Sequence, residues 1–275
     1  MKSQANNVEK VKGLQSAVLK WFADHSRDFP WRNTSNAFFI LIAEALLRQT
    51  QADRVMEPYL TLVSKFPDPQ SMAQANVLQL REWFQPLGLV KRADRLIETS
   101  KILVRDFAGR VPDGLEQLKE LPGLGEYSAR AVLCLAYNIQ VPMIDEGSGR
   151  VMRRVLNLHS KRPAYSDSKL IATTEKMLPK GFARSFNLGL IDIAAVYCQS
   201  KKPECSPCPL LYVCSYGQQV VKVSHHSRRE VNHGNVSIAL LHFCLKVINL
   251  PLDGLQKRWG LSRVGRVPYP TRLSW

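Results

Sequence analysis

The sequence predicts an all-α fold. Apolar residues recur at helical spacing in one segment after another, no stretch alternates as a half-buried strand would, and residues 36–49 form an apolar run too long for a typical strand. With 275 residues, 45% hydrophobic and 22% charged, the chain has enough apolar material to bury a sizeable core in one body or two lobes. Wholesale disorder is excluded on the same ground.

Val11, Leu14, Val18, Leu19 and Phe22 fall near the 3.6-residue period and predict an opening amphipathic helix. Pro30 interrupts the next stretch. Residues 36–49 read as a helix buried on nearly all sides, and Leu60 to Phe66 as the end of another. Residues 71–85 and 90–107 each carry Leu, Ile, Val or Phe at helical spacing, with Pro86 and Gly88 turning the chain between them. Asp113 followed by Glu116 resembles a capping box that opens a short helix ending before Pro122. The next helix begins after Gly125, with Ala129, Val132, Leu133 and Ala136 on one face and Arg130 on a flank free to meet solvent or phosphate. Further helices are expected at 147–158, 167–178 and 183–197. Near residue 218 the periodicity weakens and His, Ser and Arg accumulate, so 218–275 reads as a tail beyond a body of 1–217.

Thirty-eight Lys and Arg against 23 Asp and Glu leave a net charge of +15, a field that draws polyanions, of which nucleic acid is the commonest in a cell. Residues 222–275 hold +7 of it, so the body keeps +8 and does not need the tail to meet DNA. An idle basic surface is the alternative, because net charge specifies no geometry. The apolar stretch 37–47 ends about seven residues short of a membrane span, and the first twenty residues lack the charged-then-apolar order of a secretory signal. The expectation is a soluble protein with no membrane partner, cytoplasmic and nucleoid-associated in a prokaryote, nuclear or organellar in a eukaryote.

Four of the six cysteines, Cys198, Cys205, Cys208 and Cys214, are spaced C-x6-C-x2-C-x5-C, which gathers four thiolates from one short loop. Such clustering speaks for metal before disulfides. Structural zinc sites usually pair two short knuckles across a longer segment, whereas these four lie within seventeen residues. An iron-sulfur centre is therefore expected, with a zinc-stabilised helical protein as the alternative. Cys134 and Cys244 stand in apolar surroundings and read as small buried hydrophobes.

Leu121-Pro122-Gly123-Leu124-Gly125-Glu126-Tyr127-Ser128-Ala129 joins two helices by a glycine turn. Gly123 and Gly125 let the backbone turn tightly and approach a phosphate, and the following helix offers unpaired N–H groups and the positive end of its dipole. Such a turn alone joins many helix pairs. Here Asp145 follows eighteen residues after Tyr127.

The cysteine spacing resembles the cluster loop of the endonuclease III and MutY branch of DNA glycosylases, and the glycine turn resembles a helix-hairpin-helix motif. Over about residues 14–217 the chain is similar to the HhH-GPD superfamily. The resemblance implies a two-lobed helical fold with a C-terminal [4Fe-4S] cluster loop. A six-helix lobe would span about 36–145 with the hairpin at about 114–137; a second lobe would combine the N-terminal helix with about 146–217, including loop 198–214. Residues 218–275 show no family pattern, and the basic tail is assigned no role.

The resemblance further implies that Asp145, in Pro142-Met143-Ile144-Asp145, is the catalytic aspartate at the mouth of a base pocket, where a carboxylate stabilises oxocarbenium character at the sugar or orients water. An acid that only caps a helix would read the same. Glu44 is the candidate for protonating or hydrogen-bonding the departing base. Ile40, Leu41, Ile42, Ala43, Ala45, Leu46 and Leu47 flank it, and burial would favour its protonated form; a surface glutamate on a polar stripe is the alternative. The segment Ala43-Glu44-Ala45-Leu46-Leu47-Arg48-Gln49-Thr50-Gln51 resembles the matching helix of MutY and of archaeal thymine-mismatch glycosylases, as does Arg27-Asp28-Phe29-Pro30-Trp31-Arg32 upstream. By that match Gln49 is a candidate wedge for the space left by a flipped base. Lys201 and Lys202 would present cations to the DNA backbone, or remain merely solvated.

Tyr127 stands where strand-cleaving relatives carry a lysine, and a phenol cannot form the Schiff base, so hydrolysis without efficient strand cleavage is expected. Glu44, Tyr127 and Asp145 together most resemble the thymine-mismatch branch, which removes T or U opposite G. MutY-like removal of A opposite G or 8-oxoguanine is the alternative, although the 61 residues after Cys214 are few for the extra domain that full-length MutY proteins carry there. Glu146-Gly147-Ser148-Gly149-Arg150 departs from the family's usual asparagine- or histidine-bearing sequence, and Glu146 sets a like charge beside Asp145. A non-catalytic DNA-structure binder is the second alternative. The expected partner is double-stranded DNA, met by a monomer.

Overall fold

The computed structural model describes residues 2–48, 50–85, 88 and 90–222. The chain divides into two units, Met1–Val221 and Lys222–Trp275. Of the second only Lys222 is described, so Cys244 and the tail beyond residue 222 lie outside the described residues, while residues 218–222, expected to open that tail, continue a helix that starts at residue 215. The described residues hold no strand; eleven α-helices lie between Lys2 and Val196, and residues 215–222 are helical as well. No described helix is long and apolar enough to cross a membrane.

The first helix, α1 (Lys2–His25), buries Leu14, Val18 and Trp21, in keeping with the periodicity. Pro30 opens a 3-10 turn at Pro30–Arg32. Helix α2 (Ala37–Leu47) starts where the Asn36 side chain accepts the N–H groups of Phe38 and Phe39. Its buried residues, from Phe38 through Leu46, run around most of the helix. Helix α3 (Met56–Lys65) comes next. The single helix expected over 71–85 is two, α4 (Pro69–Ala73) and α5 (Val77–Phe84), because Asp68 and Asn76 each cap a new start. After α6 (Val90–Asp106) comes α7 (Leu115–Glu120), whose N-cap is Gly114 with no side-chain bond. The capping box expected of Asp113 and Glu116 does not form; Glu116 instead accepts from Lys119 at 3.0 Å.

Helices α8 (Glu126–Tyr137) and α9 (Glu146–Leu156) end on Asn138 and Asn157, both in the left-handed region that asparagine tolerates. Helices α10 (Ser168–Glu175) and α11 (Ala183–Val196) follow.

Two buried clusters make two lobes. One is drawn mostly from α2 to α8, which adds a seventh helical segment to the six expected, and the other joins α1 to α9, α10, α11 and the segment through Cys214. Helix α11 serves both, giving Ala183 and Leu188 to the first cluster and Phe186, Leu190 and Ile193 to the second. Residues from the two ends of the body also meet directly: Lys10 Nζ donates to Ser215 Oγ at 2.9 Å, and Gln15 Nε2 to the Met177 carbonyl at 2.9 Å.

Polar side chains buried on α11 fix the segments that lead into the site. Asn187 donates from Nδ2 to the Val141 carbonyl at 2.8 Å and accepts the Met143 N–H on Oδ1 at 3.0 Å. Asp192 accepts Arg32 Nη1 at 2.7 Å and Nη2 at 2.8 Å, Arg27 Nε at 2.6 Å and the Arg27 backbone N–H at 3.3 Å. Burial works against the Asp192 charge, yet the hydrogen bonds and charge of Arg32 and Arg27 hold its pKa below the ordinary aspartate value. Replacing Asp192 by Ala leaves Arg32 desolvated without its counter-charge, and a loss of about 3–5 kcal/mol in urea denaturation is expected.

Candidate active site

A cavity of about 1440 Å³ is lined by Glu44 from α2, Tyr127 and Ser128 from α8, and Asp145 at the start of α9. The three residues predicted to do the chemistry, Glu44, Tyr127 and Asp145, thus share one space. Glu44 is 5% exposed, with the Ser128 side chain close enough to act on its charge. Burial pushes its pKa up to about 8; the Ser128 hydroxyl opposes this, the nearby Asp145 charge adds to it, and Arg48 works against it. At neutral pH Glu44 therefore carries a proton. Burial also raises the Tyr127 phenol well above its ordinary value, and the charges of Glu44 and Asp145 push the same way.

Asp145 is the N-cap of α9. Its Oδ1 accepts the Ser148 N–H at 2.6 Å and the Ser148 hydroxyl at 2.7 Å, and Ser148 Oγ accepts the Asp145 N–H at 3.0 Å. The capping box holds the carboxylate while Oδ2 keeps no hydrogen-bond partner among the described residues. Asp145 thus caps α9 and lines the cavity with the same carboxylate. Glu146, the added neighbouring charge, turns Oε1 to the Ala164 N–H at 2.8 Å. A Cβ on Gly147 would stand 3.1 Å from Ala194 Cβ and 3.4 Å from Asp145 Oδ1, so this departure from the family pattern lies against both α11 and the carboxylate.

The glycine turn between α7 and α8 is built unequally. Gly123 has φ +85°, a conformation that needs glycine, and its carbonyl accepts Arg48 Nη1 at 2.7 Å. Gly125, expected to help the turn, has φ −108°, which any residue adopts. A Cβ there would meet nothing within 4 Å, so the chain outside it is open to close approach. Arg130, expected on a free flank, is 12% exposed and paired to Glu126 at 2.7 Å. It still lines the cavity, as do Arg27, Arg32, Arg48, Arg92 and Arg150. Gln49 lies outside the described residues. Lys201 and Lys202 are exposed, just beyond Cys198.

Cys198, Cys205, Cys208 and Cys214 are free thiols, as is the buried Cys134. The four are near enough to feel one another: burial pushes the Cys208 thiol up to about 11, and Cys198, Cys214 and Cys205 add to it. Cys198 Sγ accepts Arg154 Nη1 at 3.2 Å, and Cys214 Sγ accepts the Gly217 N–H at 3.3 Å. Arg150 Nε holds the Cys198 carbonyl at 2.7 Å. Among the described residues no three His, Cys, Asp or Glu side chains converge tightly enough to hold a single metal ion.

Ser128 and Asn187 escaped the sequence reading. The signal for Ser128 is its place in a helix of almost wholly buried side chains, since a buried hydroxyl requires a partner. Asn187 carries the same signal on α11.

Residues 42–180 match the HhH-GPD superfamily of base excision DNA repair proteins. The chain belongs to that superfamily. It is 37% identical over 213 residues to a thymine-DNA glycosylase of Aeropyrum pernix, covering 75% of this chain and 95% of the relative. A thymine/uracil-DNA glycosylase of Methanothermobacter thermautotrophicus is 34% identical over 209 residues, covering 76% and 95%. An adenine DNA glycosylase of Mycobacterium tuberculosis is 35% identical over 195 residues, covering 70% of this chain and 64% of the relative. Among solved structures, a thermostable thymine-DNA glycosylase superposes with a TM-score of 0.73 at 33% identity, covering 78% of this chain and 99% of that one. Endonuclease III in a non-covalent DNA complex shares the fold, with a TM-score of 0.67 at 22% identity over 81% and 99%.

The raised pKa of Glu44 ties the stability of this HhH-GPD chain to pH. Between the ordinary glutamate value of 4.5 and about 8 the folded chain keeps a proton that the unfolded chain releases, so stability falls as pH rises through that window. Glu44→Gln is expected to remove a slope amounting to on the order of 4 kcal/mol across it, read from urea denaturation at a series of pH values. A wild-type slope that survives the substitution would assign it to another group.

Proposed function

We propose that this chain is a monofunctional DNA N-glycosylase that flips T or U out of a mismatch with G in double-stranded DNA and hydrolyses its glycosidic bond. One observation carries the reading: a protonated Glu44, the Asp145 carboxylate and the Tyr127 phenol line a single cavity. The thymine and uracil specificity of the archaeal relatives supports the choice of base.

The chemistry is set by the charges. As the glycosidic bond lengthens, the sugar gains positive character, and Asp145 offers a fixed carboxylate to stabilise it or orient the attacking water. The base departs with excess electron density, and Glu44 holds a proton at neutral pH to donate to it. Tyr127 stays neutral and cannot form an imine, so the strand is left intact at an abasic site. The cavity arginines and the open backbone at Gly125 supply phosphate contacts that need no base sequence. We assign Lys201 and Lys202 to the same work, and a monomer suffices for it.

Cys198, Cys205, Cys208 and Cys214 would hold a [4Fe-4S] cluster. The donor set fits in kind: four free thiols act on one another, and two of their sulfurs take N–H hydrogen bonds from Arg154 and Gly217. When bound, the cluster supplies a rigid core to loop 198–214 and a redox-active centre.

Duplexes carrying G·T, G·U, A·G and A·8-oxoguanine, treated with alkali after incubation, should show abasic sites on the first two. The adenine relative at 35% identity makes adenine release the second reading, and release confined to the adenine duplexes would establish it. Asp145→Asn should slow release by roughly 100- to 1000-fold with DNA affinity retained. Equal background release by both proteins on every duplex would leave a DNA-structure binder.

The purified protein should be brown, with broad absorbance near roughly 400 nm and about four irons per chain. Colourless protein with one zinc would exclude the cluster.

A further inference from the structure

The cavity reaches beyond the corner where Glu44, Tyr127 and Asp145 meet. At about 1440 Å³ it exceeds the roughly 300–1000 Å³ of a pocket for one small molecule, and its wall continues through Tyr165, Ser168, Ala172 and Glu175. Tyr165 sits in the 3-10 turn Ala164–Ser166, which packs against α8 and α9. Tyr165 is 48% exposed.

The backbone beneath that exposed ring is held firmly. Ala164 is fully buried, its N–H donates to Glu146 Oε1 at 2.8 Å, and its carbonyl accepts the Asp167 N–H at 3.3 Å. Arg153 Nη2 bridges Asp167 Oδ2 at 2.8 Å and the Arg162 carbonyl at 2.7 Å. A Cβ on Gly149 would stand 2.3 Å from Ala164 Cβ, so only glycine lets the turn seat so closely on α9. Glu146 and Gly149 both belong to the stretch that departs from the family pattern, and both anchor this turn. An aromatic face on fixed backbone binds a planar partner at little entropic cost, and every nucleobase has such a face.

We propose that Tyr165 is a nucleobase-contacting residue of this site: the strand that carries the extruded nucleotide lays a neighbouring base on its ring, beyond the corner that receives the flipped base, and Glu146 is the positioning residue that holds the ring on the cavity wall. The proposal rests on the reading that the cavity receives a flipped nucleotide.

The full-length protein is titrated with a duplex containing 2′-fluoro-deoxyuridine opposite dG, whose electron-poor sugar resists hydrolysis, and with the matched G·C duplex, so that recognition is read apart from turnover. Tyr165→Ala should lose roughly 5- to 150-fold of the preference for the mismatched duplex, with affinity for the matched one unchanged. Tyr165→Phe should keep the preference. Glu146→Ala should lose it as Tyr165→Ala does, and the double variant no further. Should Glu146→Ala fail to fold, Glu146→Gln, whose amide oxygen still accepts the Ala164 N–H, must retain the preference. Equal preference in wild type and Tyr165→Ala overturns the proposal, and so does a loss shared by the matched duplex, which marks a general DNA contact. A wild-type protein that prefers only 2′-fluoro-deoxyadenosine opposite dG overturns the assignment of the base, and the same comparison on that duplex then decides the role of Tyr165. Preference for neither overturns both.

Discussion

Two polar side chains buried on α11, Asn187 and Asp192, set the frame in which the rest of the site stands. A buried carboxylate is costly unless charge and hydrogen bonds surround it, and Asp192 meets that demand by drawing in Arg27 and Arg32. The segment just before α2 is thereby fixed to α11. Asn187 does the equivalent for residues 141–143, just before α9, through two neutral hydrogen bonds. Glu44 and Asp145 are distant in sequence, but each stands on an element whose entry is tied to the same helix.

The two acids are held in unlike surroundings. Glu44 emerges from the most apolar helix of the body, where burial suppresses its charge and Ser128 only tempers the effect. Asp145 sits at a helix N-terminus, where backbone N–H groups and the helix dipole welcome negative charge, and Ser148 locks its rotamer. Environments that separate a proton donor from an anion are what a reaction with a cationic sugar and an anionic leaving group requires.

Much of this arrangement is legible in the residues alone. The seven apolar neighbours of Glu44 foretell its burial, since few helical positions can then reach water. The all-α architecture comes from spacing that recurs every three or four residues, which local sequence records directly. What the sequence conceals is mostly non-local or competitive. The partners of Asp192 lie about 160 residues away along the chain, and no periodic pattern encodes that pairing. The Asp113–Glu116 box loses to a rival bond, because Lys119 one turn on offers Glu116 a charge. Arg130 is similarly claimed by Glu126 on its own helix. The break between α4 and α5 is readable in principle, as Asn76 is a strong cap, but continuous apolar spacing over 71–85 masks it.

The second lobe is assembled from both ends of the body, with α1 docked on α11 and Lys10 reaching Ser215. Apart from Ala183 and Leu188 of α11, the core of the first lobe comes from one stretch between those ends. On the ribosome, that inserted stretch emerges with most of its contacts already within reach, whereas α1 precedes it and must wait until its partners in the second lobe, through Cys214, have left the exit tunnel. Until those residues are made, Leu14, Val18 and Trp21 of α1 have no core to enter, and the apolar stripe of that helix stays open to the wrong partner.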